Sequence, residues 1–107
     1  MHIMLVNDDG IHAPGIQTLC RAAREAGHQV SVCAPDGERS AISHAITLSR
    51  LLNVVETEME GAELALKVDG TPADCASLGL YLIPQVDMVI SGINNGPNLG
   101  GAAVYSG

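Results

Sequence analysis

The sequence predicts a doubly wound α/β protein: a mostly parallel sheet with helices on both faces and one β-hairpin. Three observations point there. Short, largely apolar runs at 3–6, 29–34 and 86–90 have the length and composition of strands buried on both faces. Helical periodicity separates the first two of these runs, and a helix start signal, "DGTPAD", precedes the third. Each run also ends in glycine, proline or small polar residues rather than continuing.

The first strand, Ile3 to Val6, is broken by the turn residues of "NDDG". Pro14 suits the first turn of a helix, because its missing N–H would be unsatisfied there anyway. Ile16, Leu19, Cys20 and Ala23 then follow i, i+3, i+4, i+7 spacing, and Gly27 supplies the stop. A second strand runs from Gln29 to Ala34 and ends at Pro35, which completes a βαβ unit with a right-handed crossover. Residues 35–45, "PDGERSAISHA", form a polar loop. "VVETEME" and "ELALKV" flank a turn at Gly61 and Ala62 and predict a hairpin with one solvated face. "DGTPAD" opens the next helix, with Thr71 as N-cap, Pro72 in the first helical position and Asp74 as the capping-box partner. That helix is expected to reach about Ile83 and stop before Pro84. Val86 to Ile90 form a third buried strand that leads into "SGINNGPNLGG". A further helix is expected to follow that glycine-rich loop.

The 107 residues suit a single domain, 1–107. With 47 % hydrophobic and 16 % charged residues, intrinsic disorder is not expected. No apolar run is long enough for a membrane span. "MHIMLVNDDG" has neither a basic segment nor a cleavage site and reads as a strand, which makes the cytoplasm the expected compartment. A net charge of −7 with five Lys and Arg argues against a duplex nucleic-acid surface. Cys20, Cys33 and Cys75 are widely spaced within apolar patterns and are expected as core residues, not as a disulfide frame or zinc site.

Three loops, "NDDG", "PDGERSAISH" and "SGINNGPNLG", leave the C-terminal ends of the three predicted parallel strands. Ligands bind at that edge in open α/β sheets. Asp8 and Asp9 can converge at a turn, and two ionised carboxylates held together favour protonation of one or a cation between them. A hard divalent ion, Mg²⁺ or Mn²⁺, meets that need with further oxygen ligands from hydroxyl, amide or water. Taken alone, the pair is equally at home in an Asx-turn and helix cap. Ser40 and His44 lie in the second loop, the hydroxyl suited to a hard ion and the imidazole to phosphate or proton transfer. The third loop offers asparagine amides and glycine-freed backbone N–H groups, without the spacing of a dinucleotide or Walker A fingerprint. His2, His12 and His28 have no comparable setting and are expected to be structural or solvated.

With these loops assembled, the chain resembles the SurE family of survival-protein nucleotidases. The resemblance rests on "NDDGIHAPGIQTL" at 7–19, "APDGERSAISHAITL" at 34–48, "GTPADC" at 70–75, "SGINNGPNLG" at 91–100 and "VYSG" at 104–107. It implies a Rossmann-like SurE fold whose sheet is incomplete at the C-terminus, the chain being the N-terminal portion of a longer nucleotidase domain. It implies a metal-dependent 5′/3′-nucleotidase that hydrolyses nucleoside monophosphates to nucleoside and phosphate. The family's ligands to one divalent ion fall on Asp8, Asp9, Ser40 and Asn94, with His44, Asn98 and Ser106 near the phosphate. Asp8 is expected as nucleophile or base and Asp9 mainly as ligand, with water or aspartate as the attacking group. The full-length family member is expected to form a homo-dimer or tetramer. The competing readings are a non-catalytic nucleotide- or phosphate-binding module and an inactive truncated fragment; the adjacent carboxylates, useless to a pure anion binder, separate the first of these from the enzyme.

Overall fold

The computed structural model describes residues 1–37, 52–93 and the backbone of 103–106. Within them run β1 (His2–Val6), α1 (Pro14–Glu25), β2 (Gln29–Pro35), β3 (Val54–Thr57), β4 (Leu64–Val68), α2 (Pro72–Leu82), β5 (Met88–Ser91) and β6 (Ala103–Ser106). They form one six-stranded sheet in the order β3-β4-β2-β1-β5-β6. The four central strands are parallel and the two outer ones antiparallel to their neighbours. Because β1 is buried on both faces, its alternating side chains feed two separate cores.

Ile3 and Leu5 join Val30, Val32, Ala34 and Ala65 against Ile16, Cys20 and Ala23 of α1. Met4 and Val6 join Cys33, Leu66, Val68 and Val89 against Cys75 of α2. The two helices therefore cover opposite faces, as the paired runs predict. Burying Met4 or Leu5, each at 0 % exposure, contributes about 1.5–3 kcal/mol.

The local signals are realised closely. Thr71 Oγ1 accepts from the Asp74 N–H at 3.1 Å while Asp74 Oδ2 accepts from the Thr71 N–H at 2.9 Å, a reciprocal capping box. Gly27, at φ 96°, follows the last turn of α1, and its N–H closes onto the Arg24 carbonyl at 3.0 Å. The hairpin pairs Val54 with Val68 and Thr57 with Ala65 around a turn containing Gly61. All three cysteines are buried and unbridged. The hydrogen bond Cys75 shares with Cys33, together with burial, holds its thiol well above the usual cysteine range.

Two departures have physical causes. The third parallel strand begins at Met88 rather than Val86, because Asp87 turns its carboxylate back onto the His2 N–H at 2.7 Å and gives its own N–H to the His2 carbonyl at 2.8 Å. Ala103–Ser106, where the sequence suggested only the approach to a helix, form β6 along the outer edge of β5. Val104 and Tyr105 suit a strand, and β5 otherwise presents an unpaired ladder there.

Gly79 marks where α2 rests on the sheet. A β-carbon there would lie 2.5 Å from Met4 Sδ and 3.0 Å from Cys33 Cβ. The thioether can swing aside, but the Cys33 β-carbon is fixed to β2. Gly79→Ala is expected to lower stability by about 1–3 kcal/mol despite the better helix propensity of alanine, read as a lower midpoint in urea unfolding.

Candidate functional site

The chain leaving β1, β2 and β5, described as far as Gly37 after β2 and Ile93 after β5, comes together at the C-terminal edge of the sheet, where β1 sends its connection to one face and β5 lies on its other side. Asn7, fully buried, closes the first of them. Its Oδ1 accepts from the Gly10 N–H at 3.2 Å and its Nδ2 donates to the Gly10 carbonyl at 2.8 Å. Asp8 and Asp9 occupy the arch between these anchors, each partly exposed. Gly10 sits at φ 104°, a conformation that a side chain would strain.

Backbone contacts lock this arch to its neighbours. The Ile11 N–H donates to the Pro35 carbonyl at 2.8 Å, and the Gly92 N–H to the Val6 carbonyl at 2.8 Å. A β-carbon on Gly10 would lie 3.0 Å from the Gly37 Cα, and one on Gly15 would overlap the Ile93 carbonyl oxygen. Glycine at both places lets three loops approach backbone to backbone. The convergence expected from the sequence is therefore present among the described residues.

Helix α1 begins beside the two carboxylates. Its N-cap, Ala13, makes no side-chain cap, and the Ala13 N–H donates to the Gly10 carbonyl at 3.2 Å. Helix α2 also starts at this edge. Between it and β5 lies a groove of about 400 Å³, with Asp8 at one end and Val6, Ala73, Ala76, Leu80 and Val89 along its apolar walls.

Asp8 and Asp9 are thus placed where the sequence put them. Ser40, His44, Asn94 and Asn98 lie outside the described residues; Gly37, three residues before Ser40, packs on Gly10, and Ile93, the residue before Asn94, packs on Gly15. Ser106 is not brought there. Its backbone pairs with Met88, at the other end of β5 from Ser91, whose partner Val6 leads into Asp8. Antiparallel pairing of β6 carries it down the strand, away from the loop edge. Among the described residues no three His, Cys, Asp or Glu side chains come together as a metal cluster. His2 is structural, its ring within 2.7 Å of the Ser31 hydroxyl at the far end of the sheet.

Sequence reasoning missed Asn7. It reads as one more turn residue in "NDDG", and only its burial and its two bonds to Gly10 show it as the clamp of the arch.

The family model described as "Survival protein SurE" matches residues 3–107. The chain belongs to the SurE family. It is 51 % identical over 109 residues to the 5′-nucleotidase SurE of Pelobacter propionicus, covering 100 % of this chain and 42 % of that relative. It is 50 % identical to the 5′/3′-nucleotidase SurE of Klebsiella pneumoniae, again over 100 % of this chain and 42 % of the relative. The crystal structure of the SurE protein from Aquifex aeolicus superposes with a TM-score of 0.74 at 38 % identity, over 92 % of this chain and 40 % of that one. The chain thus spans about two-fifths of the length of the SurE relatives it matches. The parallel sheet with its switch-point arch is the SurE architecture over that span.

Proposed function

We propose that the protein acts in a divalent-metal-dependent nucleotidase, hydrolysing nucleoside monophosphates at the 5′ or 3′ phosphate. The observation that carries this reading is the Asp8–Asp9 arch, locked by backbone contacts at the switch point, in a chain about half identical to named SurE nucleotidases.

The donor set fits a hard ion. Both carboxylates are partly exposed, adjacent in sequence and held on a clamped turn. Oxygen-only ligation suits Mg²⁺ or Mn²⁺. In this reading Ser40 and Asn94 complete the ligand set, and His44 and Asn98 contact the phosphate. The bound ion supplies positive charge to the phosphate ester and to the charge developing in transfer. Asp8 either attacks phosphorus, displacing the nucleoside oxygen, which leaves with a proton from solvent, and giving an aspartyl-phosphate that water then hydrolyses, or takes a proton from the water that displaces the nucleoside oxygen directly, while Asp9 holds its ligand position. The open N-terminus of α1 favours a phosphate oxygen at the same edge, offsetting the protein's net charge of −7. No described helix is long and apolar enough to cross a membrane; residence in the cytoplasm and a homo-dimeric or tetrameric assembly go with this reading.

Phosphate release from a panel of nucleoside monophosphates, measured with Mn²⁺, with Mg²⁺ and with chelator, tests it. Release is expected with either ion and is expected to fall to background with chelator. Release that survives chelation would remove the metal. Nucleotide binding without release under any condition would favour a non-catalytic binding module.

A further inference from the structure

The NDDG arch carries two adjacent carboxylates, and like charges on a flexible turn would swing apart. The turn that carries them is bracketed by the side chain of Asn7. Asn7 is 0 % exposed, and both its polar atoms are spent on one residue, Gly10, three positions on. The Gly10 carbonyl also accepts from the Ala13 N–H at 3.2 Å, so the clamp continues into the residue before α1. On its other side Gly10 packs against the Gly37 backbone. The arch is therefore fixed from within by an amide and from without by a neighbouring loop.

We propose that Asn7 is a positioning residue for the Asp8–Asp9 pair: its bidentate hold on Gly10 sets the spacing at which the two carboxylates receive a divalent cation. This rests on the metal-dependent reading above. The amide is suited to the task because it donates and accepts at once and adds no charge. An aspartate would place a third carboxylate beside the pair and an oxygen against the Gly10 carbonyl. Serine is too short to span both Gly10 groups. With the clamp removed, the turn that carries the carboxylates is held less firmly, and the ion must order it at the expense of its own affinity. Groups that orient metal ligands from behind commonly account for 10–100-fold in metal affinity.

The test is Mn²⁺ binding by titration calorimetry to the wild type, Asn7→Ala and Gly79→Ala, with the urea midpoint of each measured in chelator. Gly79→Ala serves as the destabilised control, since it disturbs the contact of α2 with Met4 and Cys33 and leaves the Asn7–Gly10 bonds in place. Asn7→Ala is expected to bind Mn²⁺ at least 10-fold more weakly, while Gly79→Ala binds as wild type at a comparable loss of stability. Wild-type affinity in Asn7→Ala, or equal weakening in both variants, would overturn the positioning role. Absence of Mn²⁺ binding by the wild type would instead remove the metal reading itself, which keeps the two failures distinct.

Discussion

Asp8→Asn is expected to lower Mn²⁺-dependent phosphate release by a factor of about 10²–10⁴, with a much smaller effect on folding. The amide has nearly the same shape as the carboxylate, so the arch held by Asn7 and Gly10 persists. What disappears is a negative charge and, in the proposed mechanism, a ligand oxygen and the group that attacks phosphorus or accepts a proton. For stability without metal the balance differs. Removing one of two neighbouring like charges relieves repulsion in a chain of net charge −7. Asp8 is also partly exposed rather than buried, so its replacement opens no cavity. Asp9→Asn provides the contrast: as a ligand, its loss should appear mainly as a higher Mn²⁺ requirement that saturating metal restores in part. Both outcomes are read from phosphate release against Mn²⁺ concentration. Full turnover by Asp8→Asn at saturating metal would exclude Asp8 as nucleophile or base and leave it at most a ligand.

The carboxylate pair, the two helix starts and the hairpin were legible because each is written within a few residues. A capping box, a proline in the first helical position or a glycine at a turn constrains only its own neighbours. Thr71 and Asp74 therefore meet as the sequence indicates. The convergence of the loops was legible one level up, since parallel strands with right-handed crossovers put their following loops on a single edge. Other features depend on contacts between distant residues. Asp87 holds back the start of β5 only because His2 lies beside it across the sheet. β6 depends on the outer edge of β5 needing a partner, and that pairing carries Ser106 away from the site. Asn7 lies between the two classes: its bonds to Gly10 span only three residues, but its full burial shows only in the folded chain.

Gly15→Ala is expected to impair the protein twice, and local propensity predicts the opposite sign. Gly15 is the second residue of α1, where alanine is favoured over glycine by roughly 0.8–1 kcal/mol in an exposed helix interior. Its φ is not in the left-handed region, so nothing in its own conformation calls for glycine. The opposing effect is steric. An added β-carbon overlaps the Ile93 carbonyl oxygen and lies 3.3 Å from the Ile93 carbonyl carbon. Both partners are backbone, one at the start of a helix and one just beyond a central strand, so no side chain can rotate to make room. Overpacking of this kind costs about 1–3 kcal/mol, enough to outweigh the propensity gain. To relieve the overlap, the start of α1 and the chain after β5 must separate. Asn94 follows Ile93 directly in sequence, so in the proposed site this separation moves one ligand away from Asp8 and Asp9. A displacement near 1 Å at a reacting centre is worth about 10²-fold in rate. Gly15→Ala should therefore lower the unfolding midpoint and, at saturating Mn²⁺, reduce turnover by more than the stability loss explains. Gly37→Ala is the matched control: a β-carbon there meets no atom of the described residues within 4 Å and its φ is ordinary, so it should fold as wild type. If Gly15→Ala instead stabilises the protein, the close approach of α1 to the chain after β5 is not a contact that the fold requires.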